Sequence, residues 1–88
     1  MIIKEYIITA PQGMHARPAT NLIRLGKNFK SAISLKKGDK TIKMNSMLNI
    51  LSLTIKCGET ISVIIDGEDE AAATEAIGLF FTEQLKDL

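Results

Sequence analysis

The chain has 88 residues, of which 45% are apolar and 24% are charged, and its formal net charge at pH 7 is +1. This length holds one domain, and this composition is typical of a soluble globule rather than a disordered segment. The near-neutral charge, without basic runs interleaved with aromatic residues, argues against a nucleic-acid partner. No apolar stretch approaches the roughly 20 residues that a membrane span needs.

The N-terminal sequence and the cysteine content indicate the cellular compartment and whether a disulfide or a metal site can form. The N-terminal sequence lacks the basic start and the small-residue cleavage site of a signal peptide, so we expect a cytoplasmic protein. Cys57 is the only cysteine, which excludes an internal disulfide, and one cysteine with one histidine does not make a metal site without carboxylate ligands. We therefore expect an inert Cys57, no metal and no cofactor.

Hydrophobic periodicity predicts four elements in the first half of the chain. Residues 2–9 form a strand that ends before Pro11-Gln12-Gly13. From residue 16 to about residue 27 the spacing is helical, with Pro18 in the first turn. Residues 32–36 and 40–44 alternate around Lys37-Gly38-Asp39 and predict a β-hairpin. The apolar positions are Ala19, Leu22, Ile23 and Gly26 for the helix, and Ile33, Leu35, Ile42 and Met44 for the hairpin.

The second half of the chain contains three more predicted elements. Ser46 precedes a short apolar cluster, and a hydroxyl at that junction predicts the N-cap of a short helix. A strand begins near Thr60, with alternating apolar residues, and closes at Asp66-Gly67. The last helix is predicted over residues 70–85, with acidic residues at its start. Its apolar face holds Ala73, Ile77, Phe80, Phe81 and Gln84.

The order strand, helix, strand, strand, helix, strand, helix determines the predicted fold class. We expect a single α+β domain over residues 1–88, an open-faced sandwich of two layers. A four-stranded antiparallel sheet forms one layer, and three helices cover one of its faces. The pairing order of the strands stays open, and a ferredoxin-like arrangement with an extra short helix is the nearest alternative.

His15 is the only histidine, and it lies between a glycine-containing turn and the start of a helix. A neutral imidazole nitrogen is a competent nucleophile toward phosphorus near neutral pH. The helix start offers backbone N–H groups with partial positive charge, and the guanidinium of Arg17 adds donors that fit phosphate oxygens. These features predict a phosphoryl site, although an ordinary capping histidine has the same pattern.

The run Gly13-Met14-His15-Ala16-Arg17-Pro18-Ala19 resembles the active-site signature of the HPr family. These proteins are the histidine-containing phosphocarriers of the bacterial phosphoenolpyruvate-dependent sugar phosphotransferase system. The chain also resembles this family in its length, in the order of its elements and in having Ser46 at the start of a short apolar helix. It implies that His15 accepts phosphate from enzyme I and passes it to the A domains of sugar permeases, while Arg17 supports the phosphorylated state. It also implies a carrier rather than an enzyme.

Ser46 has two interpretations, a plain helix cap and a regulatory site. In HPr proteins of Firmicutes and related bacteria, an ATP-dependent HPr kinase/phosphorylase phosphorylates the matching serine. The resemblance thus implies slower transfer to His15 and a corepressor role with a catabolite-control transcription regulator. The alternative function is a regulatory paralogue that acts through Ser46 alone in carbon catabolite control. Asn45 and Asn49 stand where the Gram-positive pattern often has lysine and glycine.

The resemblance further implies a docking surface for partners beside the histidine. Its residues are Thr20, Arg24 and Lys27 on the first helix and Met47, Leu48 and Leu51 on the second. From the residues alone, the apolar trio fits a core as well, and Arg24 and Lys27 fit ordinary solvated charges. We expect a monomer, because a carrier presents one face to successive partners.

Thr54 departs from the family pattern, in which many members have glycine at the end of the second helix. Glycine there readily takes a left-handed cap, so threonine predicts strain or a different exit from the helix. The sugars served do not follow from the chain. Ser46 favours the sugar branch of the phosphotransferase system over the nitrogen-related one.

Overall fold

The computed structural model describes residues 1–85 and has a four-stranded antiparallel sheet with helices packed on one face. In chain order the elements are β1 (Ile2–Ile7), α1 (Ala16–Gly26), β2 (Ala32–Lys37), β3 (Lys40–Lys43), α2 (Met47–Ser52), β4 (Thr60–Asp66) and α3 (Glu70–Leu79). A π-helical turn, Phe80–Gln84, continues α3. The predicted α+β open-faced sandwich is confirmed.

The strand order is β1-β4-β2-β3, which settles the pairing that the sequence left open. β4 is antiparallel to both of its neighbours: Ile64 is in register with Ile3 of β1 and with Ser34 of β2. β2 and β3 form the predicted hairpin. Therefore β4 is the strand that joins β1 to the hairpin, and β1 and β3 are the two edges.

The core lies between the inner face of the sheet and the helices. Because side chains alternate along a strand, the alternating apolar residues of β4, Ile61, Val63 and Ile65, are buried, and Ser62 and Ile64 on the other face are only half-buried. The helices cover this face with buried residues such as Ala19 and Leu22 of α1 and Ala73 and Ile77 of α3. The predicted stripe of α1 is thus confirmed at Ala19 and Leu22, while Ile23 and Gly26 are half-buried, and that of α3 is confirmed at Ala73 and Ile77.

The hairpin turn is shorter than predicted. Lys37 is not a turn residue but the last residue of β2, where it pairs with Lys40. The turn consists of Gly38 and Asp39 alone, and Gly38 has φ +60°. A two-residue turn with glycine at its first central position has the form of a type II′ turn, whose twist matches that of the flanking strands.

One predicted core position in the last helix is wrong, because Gln84 is exposed and Leu85 is buried. After Leu79 the helix widens, and the N–H of Leu85 donates to the carbonyl of Phe80, five residues earlier. A π-helical turn rotates the chain by a smaller angle per residue than an α-helix does. The buried face is therefore reached one residue later, and Leu85 joins the core cluster that contains Phe81.

Asp69 ties the start of α3 to the loop before β2. Its carboxylate accepts hydrogen bonds from the Ser31 hydroxyl, from the N–H of Lys30 at 2.8 Å and from the N–H of Ser31 at 2.9 Å. The bonds from the Ser31 hydroxyl and the Lys30 amide are the main causes that hold the pKa of Asp69 below its usual range. The ionised form is therefore favoured by folding.

We expect Asp69→Asn to remove part of the acid sensitivity of the fold. Since the folded pKa is lowered, the contribution of Asp69 to the free energy of unfolding is complete above about pH 4 and is lost as pH falls through the folded value. The variant should be less stable than the wild type at pH 7 and lose less stability on acidification. Urea unfolding between pH 7 and pH 2 measures, for each protein, the slope of the free energy of unfolding against pH. Asp39→Asn, at the exposed turn, is the control, and equal slopes for the two variants would contradict the prediction.

Thr54 leaves α2 in a left-handed conformation, and the predicted strain is confirmed. It is the one non-glycine residue with positive φ, 52°, among residues 1–85. For a residue with a Cβ atom this conformation costs roughly 1–2 kcal/mol. The chain therefore keeps at this position a conformation that glycine would adopt more easily.

We expect Thr54→Gly to raise the free energy of unfolding by about 1 kcal/mol. The variant relieves the strain, and the greater freedom of glycine in the unfolded chain cancels part of the gain. Urea titration of both proteins at pH 7 measures the difference. Thr41→Gly, in the edge strand β3, should instead destabilise the protein, and a loss of stability in Thr54→Gly would refute the strain.

Candidate functional site

His15 is the N-cap residue of α1, between the buried Met14 and the first helical residue, Ala16. Its backbone is extended, with φ −92° and ψ −170°, and its carbonyl accepts a hydrogen bond from the N–H of Ala19 at 3.1 Å. Its side chain makes no capping hydrogen bond and is half-buried. The imidazole thus lies at the N-terminal end of the helix without serving as its cap.

The first turn of α1 is suited to an anion. The turn has no acidic residue, and Arg17 is exposed there. Pro18 has no N–H, so the amides of Ala16 and Arg17 are the helical donors nearest to His15. The partial positive charge of the helix end and the guanidinium have the same sign. The arrangement can stabilise a phosphoryl group next to the imidazole.

The loop before His15 is fixed by close backbone contacts. Gly13 has φ +68°, and a Cβ atom on it would lie 2.4 Å from the carbonyl oxygen of Ile55 and 2.9 Å from the Cα of Lys56. The N–H of Met14 donates to the same Ile55 carbonyl at 3.0 Å. The segment that follows α2 therefore holds the backbone directly before His15, and only glycine fits the close approach.

The predicted docking surface lies on α1 and α2, which pack against each other, with Lys27 as the C-cap residue just after α1. Arg24 and Lys27 are exposed, and Thr20 is half-buried with its hydroxyl donating to the carbonyl of Ala16 at 2.8 Å. On α2, the side chain of Leu48 is 80% exposed, whereas Met47 and Leu51 are half-buried. The buried part of this apolar cluster consists of Ile50 and Leu53. The short helix therefore divides its apolar residues between core and surface.

Ser46 is the N-cap residue of α2, as predicted. Its backbone is extended, with φ −143° and ψ 132°, and its hydroxyl oxygen accepts a long hydrogen bond, 3.5 Å, from the N–H of Asn49. The side-chain amide of Asn49 donates to the carbonyl of Lys43 at 3.2 Å. Asn49 therefore connects the start of α2 to the end of β3, a contact that glycine at this position would lack.

Two features near these residues were not predicted from the sequence. A cavity of about 340 Å³ opens beside the end of α1, and its lining includes Ile23, Lys27, Met44 and Asn45. The ammonium groups of two hairpin lysines bond to the end of α2. Both features depend on how the hairpin lies against the helices, and no local sequence pattern signals that placement.

Within residues 1–85, no group of three or more histidine, cysteine, aspartate or glutamate side chains is arranged to hold a metal ion. In the same part of the chain, no helix is both long and apolar enough to cross a membrane. Cys57 is exposed.

Comparison with known families identifies the group to which these residues belong. Residues 2–83 match the family PTS-HPr, described as "PTS HPr component phosphorylation site". The chain belongs to the HPr family. The phosphocarrier protein HPr of Lysinibacillus sphaericus is 34% identical to it over 83 residues, which cover 94% of each chain. The resemblance inferred from the run around His15 is confirmed, and the family consists of phosphocarriers of the phosphotransferase system.

Solved structures agree with the HPr fold. HPr from Thermoanaerobacter tengcongensis superimposes with a TM-score of 0.91 at 27% identity, covering 100% of this chain and 98% of that one. Crh, the catabolite repression protein of Bacillus subtilis, superimposes with a TM-score of 0.77 at 27% identity, covering 97% and 98% of the two chains. The Crh structure is a dimer with a swapped domain. Both neighbours support the HPr arrangement over the ferredoxin-like alternative.

Proposed function

We propose that this HPr-family protein is a cytoplasmic phosphocarrier, which accepts a phosphoryl group on His15 from phosphorylated enzyme I and passes it to the A domains of sugar permeases. The observation that carries the proposal is the position of His15 at the N-cap of an 11-residue helix with Arg17 in its first turn. The protein acts as a carrier rather than as an enzyme, because it is the phosphoryl acceptor for enzyme I and the phosphoryl donor for the permease domain.

The transfer needs a nucleophile, a place for negative charge and a reversible bond. A nitrogen of the neutral imidazole of His15 attacks phosphorus, and the bond from phosphorus to the donor atom of enzyme I breaks with its electron pair. The amides at the start of α1 and the guanidinium of Arg17 stabilise the phosphoryl oxygens. A nucleophile on the permease domain then attacks the same phosphorus, and the P–N bond to His15 breaks.

The test is phosphorylation of the full chain by enzyme I and labelled phosphoenolpyruvate. We expect one phosphoryl group per chain, stable in base and labile in acid, that moves to an added permease A domain. A wild-type protein that takes up no label in the presence of active enzyme I would contradict the proposal.

We further propose that ATP-dependent phosphorylation of Ser46 by an HPr kinase/phosphorylase regulates this transfer. Ser46 caps α2, and the exposed Leu48 follows within the same turn. A phosphate there carries a charge of about −1.5 to −2 at pH 7, stabilises the start of α2 and repels acidic partner surfaces. Kinase-treated protein should accept phosphate from enzyme I more slowly than Ser46→Ala treated in the same way. Equal rates would exclude this regulation.

The similarity to Crh favours a second candidate function, a regulatory module that acts only through Ser46 with a catabolite-control transcription regulator. The presence of His15 favours the carrier over this alternative. Binding of the regulator before and after treatment with ATP and the kinase, with phosphoryl transfer measured on the same sample, separates the two. We expect the carrier to be a monomer, and sedimentation of the unmodified chain tests this against the dimeric state of Crh.

A further inference from the structure

The ammonium group of Lys37 is bonded on three sides. It donates to the carbonyl of Thr54 at 2.7 Å and to that of Leu53 at 3.2 Å, and it lies 2.9 Å from a carboxylate oxygen of Glu59. An ammonium group has three N–H donors, so these partners use all of them. The side chain of Lys37 is 25% exposed and that of Glu59 34%, which makes this a partly buried cluster.

Lys37 provides what the end of α2 lacks. The last turn of α2 has no basic residue of its own, and Thr54 leaves the helix with φ 52°. A positive charge at a helix C-terminus stabilises the terminal carbonyl groups. Lys40 adds a bond from its ammonium to the carbonyl of Ser52 at 3.1 Å. The hairpin thus supplies the C-terminal cap of this helix.

Glu59 closes the cluster from the other side. The carboxylate oxygen that pairs with Lys37 also accepts the N–H of Lys56 at 2.6 Å. The bonds from Lys37 and then Lys56 keep the pKa of Glu59 below its usual range, so the carboxylate stays ionised at neutral pH. The short segment from Thr54 to Lys56 is therefore held at both of its ends.

The residue inside that segment is Ile55, whose carbonyl accepts the N–H of Met14 at 3.0 Å. Met14 is buried and directly precedes His15. A continuous series of contacts therefore leads from Lys37 through the backbone of Thr54 and Ile55 to the residue before the histidine.

We propose that Lys37 is a positioning residue for the phosphoryl site. By holding the strained exit of α2, it fixes the carbonyl of Ile55 and thereby the backbone that sets His15 at the start of α1. This role rests on the proposed phosphocarrier function for its effect on transfer, but its effect on the backbone can be measured without any partner.

The test compares Lys37→Met, which keeps the aliphatic stem and removes all three donors, with Lys36→Met at the neighbouring exposed lysine of the same strand. Hydrogen exchange is followed at two amides, Met14 and Ile64 of the central strand β4. We expect Lys37→Met to speed exchange at Met14 at least tenfold more than at Ile64. Lys37→Arg, which keeps charge and donors, should restore most of the protection, and Lys36→Met should leave both amides unchanged.

A second variant separates positioning from a loss of global stability. In the Thr54→Gly background the exit needs less support, so Lys37→Met should then speed exchange at Met14 less than threefold relative to Ile64. With enzyme I at saturating concentration, Lys37→Met alone should slow transfer to His15 severalfold. If Lys37→Met does not fold in the wild-type background, Lys37→Met is measured in the Thr54→Gly background instead. Lys37→Gln then replaces Lys37→Met as the single substitution in the wild type.

Equal acceleration at Met14 and Ile64 would overturn the proposal, since a merely structural role changes both amides alike. A normal transfer rate in a variant whose Met14 amide is deprotected would overturn it as well. Failure of the wild type to accept phosphate is a different result. It would refute the phosphocarrier function and leave the exchange comparison to decide whether Lys37 positions the loop.

Discussion

His15→Ala should accept no phosphate from enzyme I and phosphoenolpyruvate, because the proposed nucleophile is removed and His15 is the only histidine of the chain. The fold should survive, since the side chain of His15 does not cap α1 and its backbone carbonyl still accepts the N–H of Ala19. Circular dichroism and urea unfolding verify that the variant is folded, and labelled phosphoenolpyruvate measures the transfer. Acid-labile label on a folded His15→Ala protein would place the acceptor elsewhere.

Substitutions of Arg17 should slow phosphoryl transfer to His15 without abolishing it, and the same assay measures this. A hydrogen bond to a charged group contributes about 1.5–3 kcal/mol, so Arg17→Ala should slow transfer about 10–100-fold. Arg17→Lys keeps the charge but loses the planar pair of donors, so its transfer rate should lie between that of the wild type and that of Arg17→Ala. Arg17→Ala with an unchanged rate would show that the exposed guanidinium does not approach the phosphoryl group.

Gly13→Ala should be the most destabilising single substitution in the loop before His15. The new Cβ atom would meet the backbone of Ile55 and Lys56 at 2.4 and 2.9 Å, and the residue would remain at φ +68°. The left-handed conformation costs roughly 1–2 kcal/mol, and overpacking adds about 1–3 kcal/mol. We therefore expect a loss of about 2–5 kcal/mol in the free energy of unfolding, together with weaker phosphorylation of His15.

The hairpin offers a matched control for this substitution. Gly38 has φ +60°, close to that of Gly13, but nothing lies within 4 Å of its added Cβ atom. Gly38→Ala should therefore show only the conformational cost, and the difference between the two variants measures the clash. Equal losses in urea unfolding would mean that the Ile55 carbonyl moves aside freely, and that it does not hold the loop.

The fold was predictable where side-chain periodicity determines the structure. The alternation of Ile61, Val63 and Ile65 and the capping hydroxyl of Ser46 each indicate an element with a local physical signal. The strand order was not predictable, because every strand has a similar alternating pattern and pairing depends on contacts between distant residues. The apolar spacing places Gln84 in the core because it carries no sign of the π-helical turn that follows Leu79.

The residues of the candidate site also differ in whether a local sequence pattern predicts them. His15 and Arg17 lie two positions apart at one helix start, so the sequence places them together without any tertiary information. No sequence pattern signals the role of Ile55, because its backbone carbonyl bonds to the N–H of Met14, 41 positions earlier in the chain. The sequence predicts Lys37 as a turn residue, whereas it ends β2 and reaches the end of α2. Residues that act through local sequence were found, and those that act through the pairing of distant segments were not.

The central position of β4 also determines when the sheet can assemble. β1 has its backbone partner in β4, and β2 joins β1 only through that strand. Before β4 is available, α1, α2 and the β2–β3 hairpin can form, but β1 has no strand partner. Tyr6 and Ile8, which belong to or pack against the core of the folded protein, then lack that core. Pairings between distant segments form slowly, and an unpaired apolar strand is prone to aggregate. The newly made chain is thus most vulnerable before β4, Thr60–Asp66, has left the ribosome, because the sheet closes only when that strand pairs with β1 and β2.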